Sequence, residues 1–160
     1  MDVVIVDYDP AWPQRFADEA ARVAPIVGAD VHHIGSTAVP GLAAKPVIDL
    51  MALVSDIEGP LGRLIARAQY TYPRELGPQS AHRAWLCHPS LAHRLHHLHL
   101  TDDSAMFARH LAFRDALRVD PALCAEYVAL KRELASRFRN DRDAYGDAKT
   151  EFIDRVTGPR

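Results

Sequence analysis

The sequence predicts an α+β protein in which a small mixed sheet is flanked by helices and followed by a C-terminal helical portion. Short apolar runs of strand length alternate with helical patterns in the first hundred residues, and three consecutive helical patterns follow. With 160 residues, 48% of them hydrophobic, the chain is long enough for one core and too short for two large domains. We therefore expect one domain over residues 1–160, mixed to about residue 101 and helical from 102 to 160.

The first elements are an extended arm, a helix and a short strand. Val3 to Val6 is a β-branched run that ends in the turn-rich letters DYDP, which indicates a strand or an arm. Trp12 to Val27 has apolar residues at helical spacing and tolerates Pro13 in its first turn. Val31 to Ile34 is a brief strand candidate that leads into Gly35.

The next elements complete the mixed half. Val47 to Val54 is an almost unbroken apolar run, typical of a buried strand, and Ile57 to Tyr70 has a helical pattern. Residues 71–89 contain three prolines and a glycine, so we expect a less regular segment there. Arg94 to Thr101, with the letters RLHHLHLT, is a further strand candidate.

Three helical patterns make up the second half. Each keeps helical spacing and begins beside a capping residue or a proline. They are Ala105 to Arg118 after Asp103 or Ser104, Ala122 to Phe138 after Pro121, and Arg142 to Val156 after Asp141.

The charge balance and the cysteines limit the class of protein. The formal net charge is −2, so a global basic field of the kind that holds nucleic acid is absent and a nucleic-acid partner is not expected. The acidic first ten residues do not resemble a signal peptide, and we expect neither a membrane partner nor a membrane span. Cys87 and Cys124 are expected to be reduced thiols in a cytoplasmic protein. The oligomeric state is not indicated.

A glycine-serine turn and a buried-strand carboxylate are the first candidates for chemistry. Gly35 and Ser36 follow a strand, where a glycine lets the backbone approach a ligand and a serine beside free N–H groups can hold phosphate oxygens. The dipeptide is also a common plain turn, and without a Gly-Lys-Ser/Thr ending it is not a Walker loop. Asp49 stands inside an apolar strand, so it needs a metal or a cationic partner such as Lys45 or an arginine.

The histidine-rich strand supplies a second set of candidates. Because strand residues alternate faces, His97 and His99 share one face, and Leu98 and Leu100 share the other with His96. The leucine face is expected to be core, which leaves the first face for a cleft. Between residues 82 and 94 there is also a local basic excess, which could meet polyphosphate or form a solvated loop: His82, Arg83, His88, His93 and Arg94.

If this strand neighbours that of Asp49, then Asp49, His97, His99 and His33 could converge on a phosphate or on a metal. Imidazole suits Zn, Mn or Fe better than Mg. The alternative is that the histidines form structural hydrogen bonds or face solvent.

The letters HIGSTAVPGLAAKPVIDL, with YDPAWPQRFADEAARV before them and HLAFRDALRVDPALCAEYVALKRELASRF and NDRDAYGDAKTEFI after them, resemble the GrpB family along nearly the whole chain. The resemblance implies a nucleotidyltransferase-like fold of the polymerase-β type. In that superfamily Gly-Ser opens the triphosphate-binding segment and a later strand bears a metal-binding pair of acids. Gly35, Ser36 and Asp49 match this layout, but Met51 stands where the second acid is expected, and methionine does not bind Mg²⁺.

The resulting hypothesis is a site that binds a nucleotide or another phosphate-bearing small molecule with a divalent metal, Mg or Mn before Zn, and that transfers a nucleotidyl group if it is an enzyme. Asp49, His97 and His99 are the catalytic candidates, and with His33 they are the metal candidates. The phosphate or ligand candidates are Gly35, Ser36, Thr37, Lys45, Arg114, Lys131 and Lys149.

Two alternatives stay open. One is a non-catalytic accessory or ligand-binding domain, associated with coenzyme A biosynthesis or protein assembly, because the resemblance extends to domains fused to dephospho-coenzyme A kinase. The other is a histidine-rich transition-metal site with unrelated chemistry.

Overall fold

The computed structural model describes residues 4–73, 81–137 and 142–158. Its helices are α1 (Trp12–Val27), α2 (Glu58–Ala68), α3 (Ser104–Val119), α4 (Pro121–Arg137) and α5 (Arg142–Thr157). Its strands are β1 (His32–Ile34), β2 (Ile48–Leu53), β3 (Arg83–Pro89) and β4 (Arg94–Thr101), and a 3-10 turn (Ser36–Ala38) follows β1. The α+β architecture, with a small mixed sheet, flanking helices and a C-terminal helical portion, is confirmed.

The four strands form one sheet in the order β1-β2-β4-β3. β2 and β4 are parallel, while β1 pairs with β2 and β3 pairs with β4 in antiparallel fashion. In the β2–β4 register Asp49 lies beside His97 and Met51 beside His99. The strand of Asp49 and the histidine strand are therefore neighbours, as the site hypothesis requires.

The main core lies between one face of the sheet and helices α1 and α2. Helix α1 presents Trp12, Val23 and Val27 to it, and the sheet contributes the fully buried Leu50 and Leu98. The apolar spacing along Trp12–Val27 thus builds the face that the sequence pattern predicts. Truncating a leucine in such a core typically costs about 2–5 kcal/mol, so this layer fixes the positions of the strands.

A second core joins the helical portion to the loop after β1. Leu117, Tyr127 and Phe152 come from α3, α4 and α5, and they enclose Val39 and Leu42 of the loop. The rings of Tyr127 and Phe152 stack with centroids 5.1 Å apart. The helices therefore hold the Gly-Ser turn in place, because the loop that continues from it is buried among them.

The prediction of an irregular segment over residues 71–89 is wrong for its last part, which forms strand β3 with a register shift only at His88/Pro89. Ala84 and Leu86 alternate with Trp85 there and are buried against the core, but the surrounding prolines conceal this short alternation. The predicted N-terminal arm is reduced to one bridge between Val6 and Ala44. Val3, residues 74–80, Phe138 and Asp141 lie outside the described residues.

The remaining predicted elements are confirmed within one or two residues at each end. Asp103 caps α3, because its carboxylate accepts from the N–H groups of Ala105 and Met106. Cys87 and Cys124 are free thiols. None of the helices in the described residues combines the length and the apolar character that crossing a membrane would need.

Candidate functional site

The centre of the candidate site is the pair of Asp49 on β2 and His97 on β4. Parallel neighbours in register point to the same face, so the Nδ1 atom of His97 lies 3.0 Å from the Oδ1 atom of Asp49. An ionised carboxylate only accepts hydrogen bonds, and His97 therefore donates from Nδ1 and keeps its lone pair on Nε2. That Nε2 atom is buried and has no hydrogen-bond partner within the described part of the chain.

His99 is the second imidazole beside this carboxylate. Its Nδ1 atom lies 2.7 Å from the Nη2 atom of Arg83, which can only donate, so His99 carries its proton on Nε2. That N–H is 3.8 Å from the Oδ1 atom of Asp49, a favourable electrostatic contact beyond hydrogen-bond length. Burial lowers the pKa of His99 to about 4, with Asp49 opposing the shift and Arg83 adding to it, so the ring is neutral at pH 7.

Asp49 is ionised in this setting. Burial alone would raise the pKa of its carboxyl, but the hydrogen bond from His97 and the N–H of His99 outweigh burial and hold the pKa well below its usual range. Its Oδ1 atom faces the two imidazoles, whereas the Oδ2 atom faces Gly35. Asp49 is therefore a fixed anion with one oxygen turned towards the Gly-Ser turn.

Gly35 is required by this arrangement. Its φ is +70°, a backbone conformation that favours glycine, and a Cβ atom added there would lie 2.6 Å from Oδ2 of Asp49. The 3-10 turn that follows uses the N–H groups of Ala38 and Val39 for its own hydrogen bonds. The first N–H groups of the turn, those of Ser36 and Thr37, are not used by it.

Lys131 of α4 reaches the same turn from the helical portion. Its Nζ atom donates to Ser36 Oγ at 3.1 Å and to the carbonyl oxygen of Ala43 at 2.6 Å, and the residue is only 3% exposed. Burial lowers the pKa of Lys131 to about 8, and the charge of Lys149 adds to this shift. Lys131 is still mainly cationic at pH 7 and has one N–H left for a further acceptor.

Several of these groups line one cavity of about 250 Å³ between the sheet and the helical portion, whereas Gly35 and His99 lie behind its wall, each beside Asp49. Its wall includes Tyr127 of the second core and seven of the predicted site residues. Those seven are Ser36, Thr37, Lys45, Asp49, His97, Lys131 and Lys149. The structure thus brings most of the predicted residues together, and among the wall residues that it describes three lysines accompany one carboxylate.

His33 is not brought to Asp49. It lies opposite Leu50 in the β1–β2 register, on the helix face of the sheet, and its ring stacks on Phe16 with centroids 4.5 Å apart. Its Nε2 atom pairs with the hydroxyl of Thr37 at 3.0 Å, and burial lowers the pKa of His33 to about 4. The expected metal-binding role of His33 beside Asp49 does not fit this position, because the β1–β2 register pairs Ile34 with Asp49 and leaves His33 on the other face.

Arg114 is likewise directed away from the cavity. Its Nη1 atom donates to the carbonyl oxygen of His33 at 3.0 Å, and its Nε atom donates to Asp115 at 2.7 Å. The guanidinium therefore ties α3 to β1. Lys45, suggested as a structural partner of Asp49, lies in the same cavity wall as the carboxylate, and His97 donates a hydrogen bond to that carboxylate.

The donor set at the cavity fits one divalent ion better than two. Met51 is fully buried on the face of Asp49, at the position where a second acid would stand. A two-ion clamp needs several oxygen ligands, whereas a single Mg²⁺ or Mn²⁺ is commonly held by one or two carboxylates with phosphate oxygens and water. Asp49 Oδ2 is the atom with capacity for such an ion, whereas His97 turns Nδ1 to the carboxylate and Nε2 away from it.

Sequence reasoning does not predict strand β3, so it places Arg83 only in a local basic excess and does not include Trp85. Arg83 sets the tautomer of His99, and the ring of Trp85 meets that of His97 edge to face at 5.0 Å. The alternation of Ala84 and Leu86 was the signal that could have revealed this strand. The prediction did not include it because the prolines around it indicated irregular structure.

The fold and the cavity define a class of α+β proteins in which a Gly-Ser turn, an aspartate of a central strand and a lysine from a helical tail meet. The chain belongs to the GrpB family, since residues 2–158 match the family described as GrpB protein.

Individual relatives agree with this assignment. A UPF0157 protein from Pseudomonas aeruginosa is 38% identical over 98% of this chain, which spans 66% of that relative. The crystal structure of the conserved protein GrpB from Enterococcus faecalis is 34% identical and superposes with a TM-score of 0.75 over 95% of this chain and 98% of that one. A dephospho-CoA kinase from Mycolicibacterium paratuberculosis is 30% identical over 94% of this chain, which spans 44% of that enzyme.

Proposed function

We propose that the chain binds a nucleotide or another phosphate-bearing small molecule, together with one divalent cation, in the cavity between the sheet and the helical portion. The observation that carries this proposal is the meeting of Lys131, Ser36 and Asp49 at one cavity. Phosphate oxygens bind hydrogen-bond donors and cationic side chains, and a divalent cation that accompanies a phosphate binds a carboxylate. The wall of this cavity offers all three kinds of group. We include a cytoplasmic location in the proposal, where nucleotides and Mg²⁺ are available.

The proposed roles follow from the chemistry of each side chain. Ser36 and the first N–H groups of the 3-10 turn donate to phosphate oxygens, and Lys131 supplies the buried charge. Lys45 and Lys149 add charge at the same wall. Asp49 holds the divalent cation.

His97 and His99 take different roles in the proposal because their free atoms differ. His97 donates to Asp49 from Nδ1 and so supports the metal-holding carboxylate, and its unpaired Nε2 lone pair suits an acid-base group. His99 uses Nδ1 to accept from Arg83 and directs its N–H to Asp49, so its proposed role is to position that carboxylate.

The size of the cavity bears on the kind of ligand. About 250 Å³ is slightly less than the roughly 300–1,000 Å³ usual for small-molecule pockets. We infer that the phosphate portion of the ligand occupies the cavity and that the rest of the molecule extends out of it. This arrangement favours phosphate recognition over recognition of a base.

A binding experiment tests the proposal. Thermal unfolding is measured for the wild type, Asp49→Asn and Lys131→Met with nucleoside triphosphates, with and without Mg²⁺ or Mn²⁺. We expect stabilisation of the wild type that needs both nucleotide and metal; a ligand at about 100 times its Kd adds about 2.7 kcal/mol. Asp49→Asn should lose the part of the stabilisation that depends on the metal. Lys131→Met should lose most of the stabilisation by nucleotide.

The matched control is Asp18→Asn, which also removes one acid but changes an exposed carboxylate on α1. It should respond as the wild type does. If no triphosphate stabilises the wild type with any metal, or if Asp49→Asn responds like Asp18→Asn, the proposal is wrong.

A second candidate function is a non-catalytic accessory domain. The buried Met51 in place of a second acid favours it, because phosphoryl transfer with two ions lacks its ligands. The relative that is a dephospho-CoA kinase makes dephospho-coenzyme A a ligand to test. Metal-dependent release of pyrophosphate from a triphosphate would support nucleotidyl transfer, whereas ligand-dependent stabilisation without any release would support the accessory role.

A further inference from the structure

A second cluster of metal-type ligands lies on the helix face of the sheet, away from the cavity. It consists of Glu19, His88 and His96, each of which offers one ligand atom, and these atoms all lie within 4.8 Å of one another. Two imidazoles and one carboxylate from three different elements meet here. None of the three lines the cavity described above.

The fold explains why the three side chains meet. His88 and His96 are direct partners in the antiparallel β3–β4 register, so both point to the same face, with ring centroids 5.8 Å apart. That is the face of Leu98, which packs against α1. Glu19 lies on the buried side of α1 and is only 6% exposed, a position where the apolar pattern would otherwise place a hydrophobic residue.

The buried carboxylate of Glu19 is explained by its own hydrogen bonds. Arg22 donates to Glu19 Oε2 from Nε at 2.8 Å and to Oε1 from Nη2 at 2.5 Å, and the hydroxyl of Tyr70 donates to Oε1 at 2.7 Å. These bonds satisfy a buried carboxylate. They leave Oε2 with one hydrogen bond, and hence with a lone pair for another partner.

The two histidines have no such explanation. The Nδ1 atoms of His88 and His96 are both buried and have no hydrogen-bond partner among residues 4–73, 81–137 and 142–158. A buried polar atom without a partner typically costs about 1–3 kcal/mol, so two in one cluster require a reason. Burial lowers the pKa of each ring, which keeps both imidazoles neutral with a lone pair available.

We propose that Glu19, His88 and His96 form a binding site for a divalent transition-metal ion of the Zn²⁺ type. Two imidazole nitrogens and a carboxylate oxygen suit Zn²⁺ and its first-row neighbours, whereas Mg²⁺ prefers oxygen ligands alone. Three protein ligands leave a fourth position for water or another small ligand. An ion there connects α1 to the β3–β4 hairpin, and its site is separate from the proposed phosphate cavity.

Arg22 sets a limit on the affinity. Its guanidinium lies close enough to lower the pKa values of both histidines, and the same positive charge opposes a bound cation. The carboxylate it contacts compensates only in part. We therefore expect moderate affinity, with binding that competes with a chromogenic zinc indicator but yields to a strong chelator.

The test measures Zn²⁺ affinity by indicator competition on protein that has first been stripped with a chelator. We expect the wild type to bind Zn²⁺ at this site. We expect His88→Ala and His96→Ala each to weaken binding at least about tenfold, since even the loss of an outer-shell partner typically has that effect. The matched control is His93→Ala, an exposed histidine in the turn between the same strands, which should bind as the wild type does.

Asp49→Asn distinguishes this site from the cavity. It should retain the Zn²⁺ binding that His96→Ala loses, even if the proposed phosphate site fails its own test. The inference is overturned if His88→Ala and His96→Ala bind as tightly as His93→Ala, or if Zn²⁺ binding disappears only in Asp49→Asn.

A second test uses the wild type alone, so its result does not depend on whether a variant folds. Co²⁺ added to the stripped protein should give the visible absorption of a low-symmetry site with nitrogen ligands, and Zn²⁺ should remove that absorption. An absorption spectrum indistinguishable from that of aqueous Co²⁺ would overturn the inference.

Discussion

The two faces of β4 carry histidines in opposite surroundings. His97 and His99 point to the cavity face, where a carboxylate on the neighbouring strand holds one and approaches the other. His96 points to the helix face with Leu98, where the carboxylate comes from a helix and is already held by Arg22. Adjacent residues of one strand thus belong to two different side-chain clusters, because strand positions alternate between faces.

The difference between the faces teaches how the same residue types acquire different capacities. On the cavity face the carboxylate belongs to the sheet, and register alone fixes it beside His97. On the helix face the cluster depends on the packing of α1 against the hairpin. We expect the cavity face to respond to changes in the Gly-Ser turn and the helix face to respond to changes in helix packing.

The largest expected effect is a loss of stability on the cavity face when Gly35, beside Asp49, is replaced. In Gly35→Ala the new Cβ atom meets Asp49 Oδ2 at 2.6 Å in a left-handed backbone position, and we expect a loss of about 3 kcal/mol in the free energy of unfolding. Gly41→Ala is the matched control, since its φ is +78° and nothing lies within 4 Å of the added atom. It should cost about 1 kcal/mol. Chemical denaturation measures both, and equal losses would contradict the proposed contact with Asp49.

Acid should lower the free energy of unfolding through both faces of the sheet, because each face buries a neutral histidine. His33 on the helix face and His99 on the cavity face have pKa values lowered by burial from 6.5 to about 4. Between these values the unfolded chain binds more protons than the native one, so stability is full above pH 6.5 and falls as the pH drops towards 4. Each of the two histidines lowers the free energy of unfolding by about 1 kcal/mol per pH unit as the pH falls through that window.

The measurement is the free energy of unfolding at several pH values from 7 to 4.5. In His33→Gln the slope should be smaller by the share of one proton, since glutamine does not titrate. His93→Ala, which removes an exposed histidine, should keep the slope of the wild type. An unchanged slope in His33→Gln would mean that this ring is not held neutral.

Much of this comparison could be predicted from the sequence. The alternation in RLHHLHLT assigns His97 and His99 to one face and the leucines to the other, and burial of Leu98 and Leu100 agrees with it. The length of the apolar run around Asp49 indicates a buried strand. These features are local, and local periodicity is what a sequence records most directly.

What the sequence did not indicate depends on contacts between distant elements. The register of β1 on β2 puts His33 on the face opposite Asp49, and no local pattern encodes the register between two strands. Glu19 resembles an ordinary acid of an amphipathic helix until its position against His88 and His96 is known. Arg114 resembles a phosphate ligand in sequence, but it binds a carbonyl oxygen of β1.

A pair of neighbouring substitutions compares the faces directly. We expect His97→Ala to weaken metal-dependent nucleotide binding at least about tenfold, as the loss of a metal-supporting group usually does, and to leave Zn²⁺ binding unchanged. His96→Ala should do the reverse. Thermal shift with nucleotide and Mg²⁺, and indicator competition with Zn²⁺, measure the two effects. If either substitution impairs both kinds of binding equally in folded protein, the two sites are not independent.

The smallest expected effect concerns the pH dependence of the cavity. Burial lowers the pKa of Lys131 from 10.5 to about 8, so its positive charge is largely present at pH 7.5 and largely lost at pH 9.5. A triphosphate is fully ionised across this range, and its affinity should fall about fivefold as the lysine loses its proton, since a buried charge-assisted bond becomes a neutral one.

Protein stability should change in the opposite direction. The unfolded lysine still binds its proton between pH 8 and 10.5, so the free energy of unfolding rises there as the buried native lysine loses its charge. Lys131→Met has no titrating group at this position, and its weaker affinity should not change between pH 7.5 and 9.5. Calorimetric titration with a triphosphate and Mg²⁺ at both pH values measures the difference. If wild type and Lys131→Met change by the same factor, the pH dependence does not come from Lys131, and the charge that recognises phosphate lies with Lys45 or Lys149 instead.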